Sequence, residues 1–149
     1  MNTQAISVGQ DMQHSGVSTL VISKKVLWTG RILSSLSVLF LLLDGAMKIV
    51  KPQPVVEATV KLGYPVTAIL PLGVVLLSCV ALYAVRRTSV LGAILLTGYL
   101  GGAVASHVRV GDPLFSHILF PLYLGCLIWG GLYMRCPSLR ALVPLHRQL

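Results

Sequence analysis

Residues 26–50 read VLWTGRILSSLSVLFLLLDGAMKIV, a nearly unbroken apolar run whose only charged side chains are Arg31, Asp44 and Lys48. A helix needs about 20 predominantly apolar residues to cross ~30 Å of hydrocarbon, so this run reads as a membrane span. Three further runs, at about 66–85, 90–107 and 116–134, have the same character, each closed by a charge, a proline or a turn sequence. Backbone groups in lipid must be satisfied within their own segment, which helices achieve. The expected fold class is all-α, a bundle of four transmembrane helices with a short interfacial helix between the first and second.

Composition points the same way. Charged residues make up 11% of the chain and mean hydropathy is +0.83, far from the ~25% charged residues of a soluble domain. The 149 residues leave room for one compact bundle with short tails, and no separate soluble catalytic domain is expected. The domain reading is a flexible cytoplasmic tail over 1–25, a transmembrane unit over 26–136 and a short basic cytoplasmic tail over 137–149. The tail up to residue 23 has no Lys or Arg and no hydrophobic period. It does not read as a secretory signal peptide, because Asp44 stands where a cleavage site wants a small residue, and the first span reads as an uncleaved anchor.

In a soluble protein the net charge of +8 would suggest nucleic acid. Here Lys24, Lys25, Arg86, Arg87, Arg135, Arg140 and Arg147 flank the ends of apolar runs, so the charge reads as topology. No recognition motif or aromatic-interleaved basic stripe accompanies it, and nucleic acid is not an expected partner. With Arg31, those residues put eight of the twelve Lys and Arg on one side, leaving Lys48, Lys51, Lys61 and Arg109 on the other. Retention of basic loops then places both termini in the cytoplasm.

The topology gathers chemistry at the opposite end, where Asp44, Glu57 and Asp112 are expected together with Lys48, His107, Arg109 and His117. Asp44 leads these polar-site candidates, since an ionisable group inside a span costs ~2.5–3.5 kcal/mol on insertion scales and is usually kept for a partner or a task. Lys48, one turn on, supplies a partner, so an intrahelical ion pair and a ligand- or proton-handling role both remain open. Gly111-Asp112-Pro113 is a turn sequence, and an Arg109–Asp112 pair holding it is the plainer reading. Two histidines and two carboxylates at one end also suit proton relay, but their spacing matches no metal motif and no metal is expected. Pro121 removes a helical bond to the His117 carbonyl.

Between the first two spans, Lys51-Pro52-Gln53-Pro54 breaks the helix and Pro54 suits the opening of a new one, with Gly63 as its stop. Val55, Val56, Thr59 and Leu62 share one side of that piece, and Glu57 and Lys61 are spaced as an i,i+4 pair on the other. In the third span, Ala93, Thr97, Gly101 and Ala105 recur every four residues beside Gly98, Gly102 and Ser106. Such small residues let helix backbones approach, so Gly98, Gly101, Gly102 and Ala105 are read as packing positions, with this helix central in the bundle or the stripe mediating self-association. Cys79, Cys126 and Cys136 form no C-x-x-C pair, which speaks against dithiol redox chemistry. Trp28, Tyr64, Trp129 and Tyr133 read as interfacial anchors.

Leu43-Asp44-Gly45-Ala46-Met47-Lys48, Leu62-Gly63-Tyr64-Pro65 and Gly98-Tyr99-Leu100-Gly101-Gly102-Ala103-Val104-Ala105-Ser106-His107-Val108-Arg109 together resemble the DoxX-like membrane proteins, and Gly111-Asp112-Pro113 extends the resemblance. It runs from about residue 28 to 144. It implies a four-helix protein of the bacterial inner membrane, in a family named after a small subunit of a thiosulfate:quinone oxidoreductase. No flavin, iron-sulfur or nucleotide motif is present, so a redox role would be that of an accessory or quinone-facing subunit, with quinone as the one cofactor the resemblance suggests. The lipid bilayer is the expected environment, with an oxidoreductase partner or self-association alongside. A small proton-coupled permease and a structural membrane protein without catalytic activity are the alternatives.

Overall fold

The structure, a computed structural model, describes residues 24–142; the expected N-terminal tail lies almost wholly outside them. Helix α1 spans Lys24–Val50, α2 Gln53–Lys61, α3 Ile69–Ala84 after a 3-10 turn at Val66–Ala68, and α4 Ser89–Arg109. A π-helical turn at Leu114–Ile118 leads into α5, Phe120–Arg135, and α6, Pro137–Leu142, follows. Four segments are long and apolar enough to cross a membrane: Lys24–Val50, Val66–Ala84, Ser89–Arg109 and Leu114–Arg135. They match the four expected runs, and α2 is the short helix expected between the first two. The stretch read as a basic tail begins with α6, whose Leu139 is buried in the core.

The four spans form a ring. Helix α1 packs against α3 and α5, and α4 closes the ring against the same two neighbours. Leu41, Leu76, Leu96, Leu124, Ile128 and Leu132 are among the buried side chains between them. The outward faces stay apolar, with Trp28, Leu39, Leu43, Val50 and Phe115 all more than 60% exposed. So much uncovered apolar surface suits lipid and would be a liability in water. The chain is a multi-pass membrane protein.

Close approach of the backbones uses other glycines than the expected ones. A Cβ built on Gly30 would lie 2.7 Å from Met134 Cβ, and one on Gly131 would lie 2.5 Å from Ser34 Oγ, which marks the α1–α5 crossing. Gly45 lies against Leu77, Gly73 against Lys48 Cβ, and Gly92 against the backbone of Tyr83, at the α1–α3 and α3–α4 contacts. A Cβ on Gly98, Gly101 or Gly102 meets nothing within 4 Å, and Ala105 is exposed. Within the chain, then, Gly98, Gly101 and Gly102 do not bring backbones together, Gly92 being the α4 glycine that does, and α4 is one side of a ring rather than its centre. The face of α4 was ambiguous in sequence because two stripes of small residues adjoin.

The end of the ring that carries Lys24 and Arg135 is tightly packed around Tyr83, which has no exposed surface. Its hydroxyl donates to the Ile128 carbonyl (2.9 Å) and lies 3.0 Å from Ser34 Oγ, while the Arg135 guanidinium sits over its ring at 4.8 Å. One phenol thus ties α1, α3 and α5 together, and a polar group buried this deeply is stable only because it is hydrogen-bonded. The opposite end is less filled.

Candidate functional site

Two helix ends of the same construction shape that opposite end. Helix α2 stops at Gly63 (φ +81°) and α4 at Gly111 (φ +69°), a left-handed backbone that glycine adopts without steric cost. The Gly63 N–H bonds to the Val60 carbonyl and the Tyr64 N–H to that of Thr59; Gly111 and Asp112 repeat this with Val108 and His107. This 5→2, 6→1 pair of bonds satisfies the last carbonyls of each helix. It also sets the residue after each glycine, Tyr64 and Asp112, beside the final turn of α4.

Asp112 is buried there between two cations or potential cations. Its Oδ2 is 2.7 Å from His107 Nδ1 and its Oδ1 accepts from Lys61 Nζ at 3.0 Å. The His107 hydrogen bond first, and the Lys61 bond second, hold the Asp112 carboxyl below its ordinary range, against a smaller opposing effect of burial. An ionised carboxylate only accepts, so His107 Nδ1 carries a proton, and in the neutral form of the ring Nε2 is then the acceptor. The imidazole of His117 stands edge-on to that of His107, 5.8 Å between centroids. His117 itself is exposed, with Nδ1 2.7 Å from Ser116 Oγ.

Two expected pairings are corrected. Arg109 does not pair with Asp112: it donates to the carbonyl of Leu62, the last residue before the Gly63 turn. Glu57 does not pair with Lys61: it accepts from Gln53 Nε2 at 3.2 Å on the exposed face of α2 and stays out of the cluster. Lys61 reaches across to the turn after α4, where Asp112 is a buried carboxylate with an oxygen to spare. Asp44 and Lys48 do pair as the spacing suggested, with Lys48 Nζ 2.6 Å from both carboxylate oxygens.

Beneath these contacts lies a cavity of about 610 Å³. Helix α1 contributes Phe40, Leu41, Asp44 and Lys48, α2 contributes Pro54, Val55, Ala58 and Thr59, and α5 contributes Phe120, Pro121 and Leu124. Gly98, Tyr99, Leu100, Gly102, Ala103, Ser106 and His107 form the α4 wall, with Leu62, Tyr64 and Leu72 completing it. Gly98 and Gly102 therefore open space. Phe40 and Phe120 meet edge to face at 5.2 Å where α1 and α5 border the cavity. Asp44, Lys48, Thr59, Tyr64, Tyr99, Ser106 and His107 supply its polar groups, while the remaining wall is mostly apolar, a combination usual for small-molecule sites.

Of the candidate residues, Asp44, Lys48 and His107 line the cavity, Asp112 supports His107 from behind, and Arg109 and His117 lie outside the lining. Sequence reasoning missed the roles of Tyr64, Tyr99 and Ser106. Tyr64, read as an interfacial anchor, lies 2.7 Å from Ser106 Oγ in the cavity wall, and Trp129 likewise bonds Thr97. A tyrosine directly after a helix-stopping glycine was the available signal for Tyr64. Among the described residues no group of three or more His, Cys, Asp or Glu side chains is placed to share a metal ion, and Cys79, Cys126 and Cys136 are all unpaired.

Comparison with known proteins agrees with the architecture. A model of the DoxX-like family matches residues 32–131, which includes every span wholly or in large part and every residue of the cavity wall. No curated protein and no solved structure matches the chain. With four apolar helices in a ring and a family match over more than half its length, the chain belongs to the DoxX-like family.

Proposed function

We propose that this protein is a quinone-facing or accessory subunit of a membrane oxidoreductase, and that its cavity holds the head of a quinone-class molecule. The observation that carries the reading is the division of the cavity wall. Asp44, Lys48 and His107 offer charge and hydrogen bonds to a head group, and Phe40, Leu41, Leu72, Leu100 and Leu124 offer an apolar bed to a hydrophobic body. The setting is the bacterial inner membrane with both termini cytoplasmic, as the bias of Lys and Arg suggests, so the cavity lies at the extracytoplasmic end.

Proton-coupled transport is the weaker reading, although Asp44 would serve it. A carrier needs a route to the second face, and the ring beyond the cavity is filled by Val80, Tyr83, Ile128 and Leu132, each at most 1% exposed. The test is a reduced-minus-oxidised difference spectrum, with organic extraction, of protein gently purified from its own membrane. A quinone signal that disappears in Asp44→Ala supports the reading. A flat spectrum and a quinone-free extract from well-folded protein overturn it.

A further inference from the structure

The cavity wall is unequal in hydrogen bonding: most of its polar groups have already spent their protons. Thr59 Oγ1 donates to the Val55 carbonyl at 2.8 Å, and Ser106 Oγ donates to that of Gly102 at 2.8 Å. Since the Ser106 proton is committed, the 2.7 Å contact with Tyr64 is made by the Tyr64 hydroxyl proton. What Thr59 and Tyr64 retain toward the cavity is oxygen lone pairs. Asp44 is a carboxylate and only accepts. The His107 ring has its Nδ1 proton directed to Asp112 Oδ2 at 2.7 Å, so the tautomer that this contact selects for the neutral ring has Nε2 as an acceptor. On the donor side stand Lys48, already shared between both oxygens of Asp44, and the Tyr99 hydroxyl.

We infer that this cavity selects an occupant whose head donates a hydrogen bond, a phenol- or hydroquinone-type hydroxyl on an apolar body, with His107 Nε2 as its acceptor and Asp112 as the residue that fixes the His107 tautomer. The inference rests on the binding reading above and adds which form of the head group is preferred. A head carrying only carbonyl oxygens would leave the acceptors of the wall unpaired, and a site built to meet a hydroxyl discriminates strongly against the analogue that lacks it. Asp112 is a positioning residue here, because it touches His107 and not the occupant. The other charged or titratable groups around His107 are Lys61 from α2, Arg109 on its own helix, His117 from the π-helical turn, and Asp44 and Lys48 across the cavity.

The test uses the full chain in zwitterionic nanodiscs and two redox-inert probes, an alkyl-substituted para-methoxyphenol and its O-methyl ether. They differ in the donor alone. The phenol is expected to bind at least ~10-fold more tightly, a difference of ~1.4 kcal/mol. That ratio should fall toward unity in His107→Ala and drop in Asp112→Asn, but persist in Lys61→Met, which removes only the other partner of the same carboxylate. On the unaltered protein, ring-nitrogen NMR should show His107 protonated at Nδ1 and bare at Nε2, with Nε2 shifting on addition of the phenol and not of the ether. Equal affinity for the two probes, or a neutral His107 protonated at Nε2, overturns the donor preference and leaves quinone-class binding standing. Binding of neither probe to folded protein overturns both.

Discussion

Replacing Gly102 with leucine separates the cavity from the fold. A Cβ at this position has no neighbour within 4 Å, and Gly102 borders the cavity, so the new isobutyl group would extend into empty volume. Interior glycine costs a helix roughly 0.5–1 kcal/mol relative to alanine, and leucine recovers most of it, so Gly102→Leu should leave stability unchanged or raise it by up to about 1 kcal/mol. Binding of the phenol probe should weaken at least ~10-fold, because the group occupies the wall beside Ser106 and Tyr99. Stability is read by reversible unfolding in mixed micelles and binding by the nanodisc assay. Gly131→Ala is the control with the opposite expectation: its Cβ would lie 2.5 Å from Ser34 Oγ and 2.9 Å from the Ser34 backbone nitrogen. Backbone must then move, at about 1–3 kcal/mol. A Gly102→Leu protein destabilised by more than ~1 kcal/mol, or one that binds as well as before, would refute the account of α4 as the open wall of a binding cavity.

Three further outcomes are expected. Asp44→Asn leaves Lys48, whose side chain is only 16% exposed, without its counter-charge; the cost should be about 1–2 kcal/mol after allowing for solvent at the more open Asp44, and Asp44→Asn with Lys48→Met should recover part of it in the same unfolding assay. The His107 and Lys61 hydrogen bonds hold the Asp112 carboxyl below its ordinary value of 3.8 in the folded chain, so its stabilising contribution is fully present above about pH 3.8 and is lost as pH falls through the lower folded value; Asp112→Asn should flatten that acid limb in a pH series of unfolding. Gly111→Ala places a Cβ at φ +69°, which costs about 1–2 kcal/mol, and the displaced Asp112 should register as a changed His107 ring-nitrogen spectrum.

The positions of the spans, the break at Lys51–Pro52, the stop at Gly63 and the Asp44–Lys48 pair were all legible in the chain itself. Each depends on local physics: the length of apolar chain needed to cross a bilayer, the dihedral preferences of proline and glycine, and the i,i+4 geometry of one helix. The convergence of Asp44, Lys48, His107 and Asp112 at one end was legible too, because antiparallel helices with short connections bring alternate span ends together.

Tertiary structure alone decided which partners those residues take and which faces meet. Lys61 binds Asp112 instead of Glu57, Arg109 binds the Leu62 carbonyl instead of Asp112, and Gly30, Gly45, Gly73, Gly92 and Gly131 make the close crossings while Gly98 and Gly102 line empty space. The physical reason is that lipid is as apolar as the bundle interior, so the inward and outward faces of a span have nearly the same composition and its rotation cannot be read from hydropathy. Pairings between helices depend on that rotation, and so does the existence of a cavity.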